Sequence, residues 1–182
     1  MMKITISGDI GSGKSTVGKL VAKELDLPYY STGQIQRKIA EEMGLDTLQL
    51  NLLAEQQTEI DDKIDGFTIN LEKEDKPCLV DSRLAWNFVP SSLKVYLACE
   101  VEEAARRSYG DTERTGEVSS QNSEELVGKI NARRASEVRR FETKYSVPIN
   151  DHSNFDLIVD TTDCSPEEAA AEIVKTAREK WK

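Results

Sequence analysis

Eight residues near the start of the chain, Gly8-Asp9-Ile10-Gly11-Ser12-Gly13-Lys14-Ser15, fit the spacing G-x-x-x-x-G-K-[ST]. The chemistry of that set is anion capture. A polyphosphate carries several negative charges and needs many donors at short range. Glycines let the backbone curl into a nest of N–H groups, and a helix that follows adds the positive end of its dipole. Gly8, Gly11, Ser12 and Gly13 shape the cradle, and Thr16 follows directly after it. Lys14 is placed to reach the β- and γ-phosphates, and the Ser15 hydroxyl to ligate Mg²⁺. The sequence therefore predicts a bound nucleoside triphosphate.

A second cluster is cationic. Seven of the ten arginines fall between Arg106 and Arg140. Arg133, Glu137 and Arg140 stand at i, i+4 and i+7, which puts them on one helix face, while Arg134 and Arg139 point elsewhere. Two guanidinium groups flanking a carboxylate present a pre-oriented positive fork. Phosphoryl transfer uses such devices, because its catalysis is positioning and charge stabilisation. The competing account is a solvated helix laced with i,i+4 ion pairs. Beside a phosphate-binding loop the fork is the better reading, with Lys14, Arg133 and Arg140 neutralising the transferring group.

These residues need a frame that brings them together. Lys3-Ile4-Thr5-Ile6-Ser7 reads as a strand entering the glycine-rich turn, and Val17, Leu20, Val21 and Leu25 follow at helical spacing. Four further runs read as strands, at Pro28–Ser31, Cys78–Asp81, Lys94–Ala98 and Asp156–Asp160. Helical patterns separate them, so the sequence predicts a mostly parallel, doubly wound α/β sandwich with ligands at the carboxyl ends of the strands. Between the second and third strands, Leu48, Leu52 and Leu53 form one apolar stripe, and Ile60, Ile64, Phe67 and Leu71 form another. Two or three helices there suggest a small lobe rather than a crossover packed flat on the sheet. From Gly110 to Ser123 the chain is polar and glycine-containing, the pattern of a loop or lid. A helix is predicted from about Glu124 to Tyr145. Ser165-Pro166-Glu167-Glu168 is a capping box opening a last helix with Ala170, Ile173, Val174, Ala177 and Trp181 on its apolar side.

Composition narrows the partners. The 182 residues suit one domain, and 38% apolar with 31% charged residues describe an ordinary globular chain. A net charge of −9 argues against a nucleic-acid polymer as ligand. An acidic protein with a local arginine concentration fits a small, multiply anionic ligand instead. No apolar run reaches bilayer-spanning length and the start lacks signal-peptide character, so no membrane partner and a cytoplasmic location are the expectation. A monomer is expected as well. Cys78, Cys99 and Cys164 show no metal or disulfide spacing, and the single histidine, His152, has no co-ligand nearby.

The motifs in this order resemble those of nucleoside monophosphate kinases, most of all the short cytidylate kinases of archaeal type. Besides the phosphate loop, Tyr30-Ser31-Thr32-Gly33-Gln34-Ile35-Gln36-Arg37 is similar to the segment that holds the acceptor nucleotide. Val80-Asp81-Ser82-Arg83-Leu84-Ala85 is similar to a strand-end motif with an acidic residue and an acceptor-binding arginine. The Arg133-Glu137-Arg140 spacing matches, and so does the tail from Val159 to Glu168. The resemblance runs from about Lys3 to Val174 and implies a P-loop NTPase three-layer sandwich. Its parts would be a central five-stranded parallel sheet, a helical acceptor-binding lobe at about 33–75 and a lid at about 108–124. It further implies ATP as phosphoryl donor, Mg²⁺, and CMP or dCMP as acceptor. Thr32, Arg37 and Arg83 would bind the acceptor, and Asp81 would hold either Mg²⁺-bound water or an acceptor hydroxyl. Arg107 and Arg114, at the edges of the lid, would touch the donor phosphates. The family usually has an acid at Gln34 and reads Gly-Arg-Leu-Ala-Gly-Trp where this chain has Ser82-Arg83-Leu84-Ala85-Trp86-Asn87. Both departures fall on the acceptor side. They leave open a kinase for another small metabolite, or a catalytically weak nucleotide-binding or switch protein.

Overall fold

The structure, a computed structural model, describes residues 1–45, 47–54, 58–110 and 123–182. Its centre is a parallel sheet of β1 (Lys3–Gly8), β2 (Tyr29–Ser31), β3 (Cys78–Asp81), β4 (Leu93–Ala98) and β5 (Leu157–Asp160) in the order β2-β3-β1-β4-β5. All four pairings are parallel. Every residue of β1 and β3 is buried, as expected for strands covered on both faces. β1 is central, with β3 on one side and β4 on the other. The chain leaves its carboxyl end where the strand order reverses, the place where open α/β sheets bind ligands.

Helix α1 (Lys14–Glu24) and helix α8 (Pro166–Lys180) cover one face. The main core joins Ile4, Ile6, Val17, Val21, Leu79, Val95, Leu97 and Ile173. α8 opens as its sequence foretells: Ser165 accepts from the Glu168 N–H, and the Glu168 carboxylate accepts from the Ser165 N–H. Three helices lie between β2 and β3: α2 (Thr32–Glu42), α3 (Thr47–Ala54) and α4 (Thr58–Lys73). They share their own apolar cluster around Ala40, Leu50, Ala54 and Ile60. The inward face of α3 is Leu50, Leu53 and Ala54. Leu52 is half exposed, because two residues, about 200° of helix rotation, separate it from Leu50. The stripe through Leu52 is thus corrected, and the side chains of Leu48 and Ile64 lie outside what is described. Phe67 packs edge-on against Tyr30, and Leu71 is buried beside Cys78 and Val80.

The remaining elements are the short α5 (Ala85–Phe88), α6 (Val101–Gly110), α7 (Ser123–Tyr145) and a single 3₁₀ turn (His152–Asn154). Leu84, Trp86, Phe141 and Val147 form a separate cluster that seats α7 beside the β3–α5 turn. Among the described residues no helix is long and apolar enough to cross a membrane. The three cysteines are free thiols. His152 is exposed, its ring against that of Tyr96. Arg114 and most of the expected lid lie outside the described residues.

Candidate active site

The phosphate loop leaves β1 through three glycines at positive φ: Gly8 at 146°, Gly11 at 79° and Gly13 at 79°. Space as well as backbone angle demands glycine at two of them. A Cβ on Gly8 would stand 2.3 Å from the Leu97 carbonyl oxygen, and one on Gly11 would stand 2.6 Å from the Ala104 Cβ. Gly13 caps α1, and the first turn of that helix carries no acidic side chain to neutralise its positive end. The loop is pinned by its neighbours. Ser12 Oγ donates to the Asp9 carbonyl, and Thr161 Oγ1 at the end of β5 donates to the Ser12 carbonyl.

Lys14 curls back over this loop, its Nζ donating to the carbonyls of Gly8 at 3.0 Å and Asp9 at 2.6 Å. Burial, and after it the Arg83 guanidinium, pushes its pKa well below the usual lysine range, against the pull of Asp81 and Glu137. An ammonium held that way gains most from an arriving anion. Next to it, Ser15 Oγ donates to Asp81 Oδ2 at 2.8 Å. Asp81 is 5% exposed, and Tyr29 and Ser31 also donate to that same oxygen. Burial and the Asp81 charge push the Tyr29 phenol upward, so it stays a donor. Thr32 Oγ1 reaches the Asp81 carbonyl at 3.4 Å. The meeting of Tyr29, Ser31 and Asp81 follows from β2 lying next to β3, a neighbour relation absent from local sequence pattern.

The opposite wall is built on a buried carboxylate. Glu137, 5% exposed, pairs with Arg83 Nε at 3.0 Å and with Arg133 Nε at 3.2 Å. Burial works to raise its pKa, but Arg83, Arg133 and Lys14 together hold it below the ordinary carboxylate range. Arg83 also donates to the Gly8 carbonyl, so the arginine expected on the acceptor side touches the phosphate loop itself. Its backbone is fixed in turn, with the Arg83 carbonyl accepting from Ser7 Oγ and Trp86 Nε1. The unusual Trp86 is thus a buried prop beneath Arg83. Gln34, the other departure, is exposed on α2.

Two clefts meet at the loop. One, of about 370 Å³, lies over Gly11, Ser12, Gly13 and Thr16 and is walled by Arg107, Thr161 and Pro166. Arg107 is fixed there by Glu103 and by the carbonyls of Thr161 and Thr162. Arg106 first, then Arg107, holds the Glu103 carboxyl down to about 2. The other cleft, of about 100 Å³, is lined by Lys14, Ser15, Thr32, Arg37, Asp81, Arg83 and Arg133. Gln36, which the sequence did not single out, lines it too.

Arg140 lines neither of these two clefts, although its charge still acts on Glu137. It shares the Arg133 face, yet seven residues carry it about 10 Å further along the helix axis. There it meets α4, with Nε 3.9 Å from Asp61 Oδ2 and the guanidinium over the Phe141 ring. Arg134, which helical spacing turns away from the fork, instead reaches the phosphate loop. It donates to the Asp9 carboxylate, to the Tyr96 hydroxyl and to Asn150 Oδ1. Neither Asp9 nor Arg134 carries a local signal: one is a wild-card position of the motif, the other one arginine among several.

A parallel sheet in this strand order, with a glycine-rich loop leaving the central strand and cations on both sides of it, defines a phosphate-loop kinase. The same fold is found in shikimate kinase from Aquifex aeolicus, at a TM-score of 0.59 and 21% identity over 99% of this chain and 98% of that one. Residues 3–163 match the cytidylate kinase-like family, and the chain belongs to it. It is 36% identical over 169 residues to the cytidylate kinase of Sulfurisphaera tokodaii, covering 92% of this chain and 90% of that protein. With the cytidylate kinase of Ignicoccus hospitalis it shares 35% identity, covering 96% of this chain and 98% of the relative.

Proposed function

We propose that the protein transfers the γ-phosphoryl group of ATP to CMP or dCMP. The observation that carries the reading is the shared floor of the two clefts: Gly11 and Gly13 line both. A triphosphate seated on the loop from the larger cleft presents its terminal phosphate to the smaller one. There Lys14, Arg83 and Arg133 surround the point of transfer, and Thr32 and Arg37 stand on the far side. The kinship with cytidylate kinases along nearly the whole chain supports a cytidine nucleotide as acceptor. Helices α2 to α4 then form the acceptor lobe, about residues 33–75, of a single kinase domain.

The residues present fit Mg²⁺. Ser15 Oγ and Asp81 Oδ2, 2.8 Å apart at the foot of the loop, are the hard oxygen donors this ion takes. Ser15 would hold it directly and Asp81 through its water, where it would neutralise charge on the β- and γ-phosphate oxygens. The protein's own part is positional. Lys14 and the loop N–H groups hold the donor phosphates, Arg37 and Arg83 orient the acceptor phosphate in line, and Arg133 faces the charge that spreads in the transition state. Glu137 keeps Arg83 and Arg133 at fixed separation.

This division of labour is tested by replacing Arg37 or Arg83 with alanine. Each variant should raise KM for CMP at least about tenfold, the scale of one lost charge-assisted contact, with ATP affinity nearly unchanged for Arg37→Ala. Equal weakening of ATP and CMP by Arg37→Ala would contradict the assignment of the two clefts.

A further inference from the structure

Asp9 is an anomaly in a loop built to receive anions. Its carboxylate sits in the phosphate-binding octapeptide, and its own carbonyl is one of the two that hold Lys14 Nζ. The side chain accepts from the Tyr96 hydroxyl at 2.8 Å and from the Cys99 N–H at 3.1 Å, which turns it toward the carboxyl end of β4. Those two donors are neutral, so they orient the charge without cancelling it. Among the described residues the cation that does so is Arg134, whose guanidinium donates to Asp9 and also to Tyr96 and Asn150. Arg134 is adjacent in sequence to Arg133, which lines the acceptor cleft. Two neighbouring arginines of α7 therefore straddle the start of the loop, one facing the reacting groups and one locked onto the loop's own acid.

We propose that Arg134 is a positioning residue that neutralises Asp9 and clamps α7 to the phosphate loop, so that the loop can accept a triphosphate. The proposal rests on the phosphotransferase reading above and deepens it on the donor side. Its physical basis is distance. The Asp9 carbonyl is 2.6 Å from Lys14 Nζ, which puts the carboxylate of the same residue within the roughly 8 Å of that ammonium over which charges act at physiological ionic strength. Without Arg134, that carboxylate repels the incoming polyphosphate. With it, the charge of that carboxylate is compensated.

Four proteins test this by equilibrium titration with ATP, which needs no turnover: the unaltered chain, Arg134→Ala, Asp9→Asn and the double variant. Arg134→Ala should weaken ATP binding about tenfold, the effect of one uncompensated charge near a polyanion. The double variant should recover to within about threefold of the unaltered protein, because the repelling carboxylate is gone. Arg134→Lys, which keeps the charge and loses the fork, should weaken binding less than Arg134→Ala. Arg139→Ala removes the same charge from an exposed position of α7 and should leave ATP affinity unchanged. Losses that add in the double variant, or an Arg139→Ala effect equal to that of Arg134→Ala, would overturn the clamp while ATP binding by the unaltered protein still upheld the kinase reading. No ATP binding by the unaltered protein would overturn both.

Discussion

Replacing Glu137 with glutamine removes a buried carboxylate from between Arg83 and Arg133 while keeping its size. Two ion pairs, at 3.0 and 3.2 Å, lose their anion, and Lys14 loses one of the charges that favour its protonated form. Breaking a buried pair costs about 3–5 kcal/mol. The Arg83 and Arg133 side chains are 20% and 23% exposed, so water relieves part of this, leaving about 2–3 kcal/mol. For a chain of this length that lowers Tm by roughly 5–10 °C. The freed cations then suit an added anion better than before. If inorganic tripolyphosphate binds the variant about tenfold more tightly, it restores about 1.4 kcal/mol more stability than in the unaltered protein. Scanning fluorimetry at neutral pH with and without tripolyphosphate reads both effects. Equal anion-induced shifts in the two proteins would refute the idea that Glu137 stands in for phosphate charge. The pH dependence has a definite sign. The folded pKa of Glu137 lies below the usual 4.5, so its contribution is complete above that value and is lost as pH falls through the lower folded one. The stability gap between the unaltered protein and Glu137→Gln should therefore close in acid.

Two further substitutions separate chemistry from structure. Lys14→Ala should lower kcat by at least about a hundredfold, the cost of losing one preorganised charge at the transferring group. Because burial already disfavours the Lys14 ammonium, the nucleotide-free variant should melt no lower than the unaltered protein; a clear fall in Tm would contradict this. Arg133→Ala and Arg140→Ala should part company. The first should lower kcat and kcat/KM together with a smaller fall in Tm, because Arg83 still pairs with Glu137 at 3.0 Å. The second strips Asp61 of a partner in a site where both side chains are 5% exposed, and should cost about 2–3 kcal/mol with Lys144 still at 3.8 Å. Matching kinetic and thermal profiles for the two variants would show that the helix-face view of α7 was the better one.

The contrast between Arg133 and Arg140 shows where sequence reading stops. The phosphate loop was legible because its motif positions answer local needs: glycines for positive φ and close backbone approach, and the lysine and serine expected to meet phosphate and metal. The parallel sheet was legible from apolar runs alternating with helices. Helical periodicity also put Arg133, Glu137 and Arg140 on one face, as they are. It said nothing of what each turn of that face would meet, which depends on α4 and on the loop crossing α7 at different heights. The hydroxyls of Tyr29 and Ser31 at Asp81 were hidden for a similar reason, since about fifty residues of chain separate strands that lie side by side. Trp86 read as a departure in a binding motif and is a core side chain under Arg83. Its packing partners, Phe141 and Val147, come from the far end of α7 and beyond, and no local pattern joins them to it.

One site is expected to join a triphosphate on the loop to a cytidine nucleotide in the smaller cleft. ADP release from ATP and Mg²⁺, measured by a coupled assay across CMP, dCMP, UMP, AMP, GMP, shikimate and gluconate, tests it most directly. Release that depends on the acceptor and is fastest by kcat/KM with CMP or dCMP is the predicted result. Slow release indifferent to every acceptor, or a preference for a non-nucleotide hydroxyl compound, would contradict it.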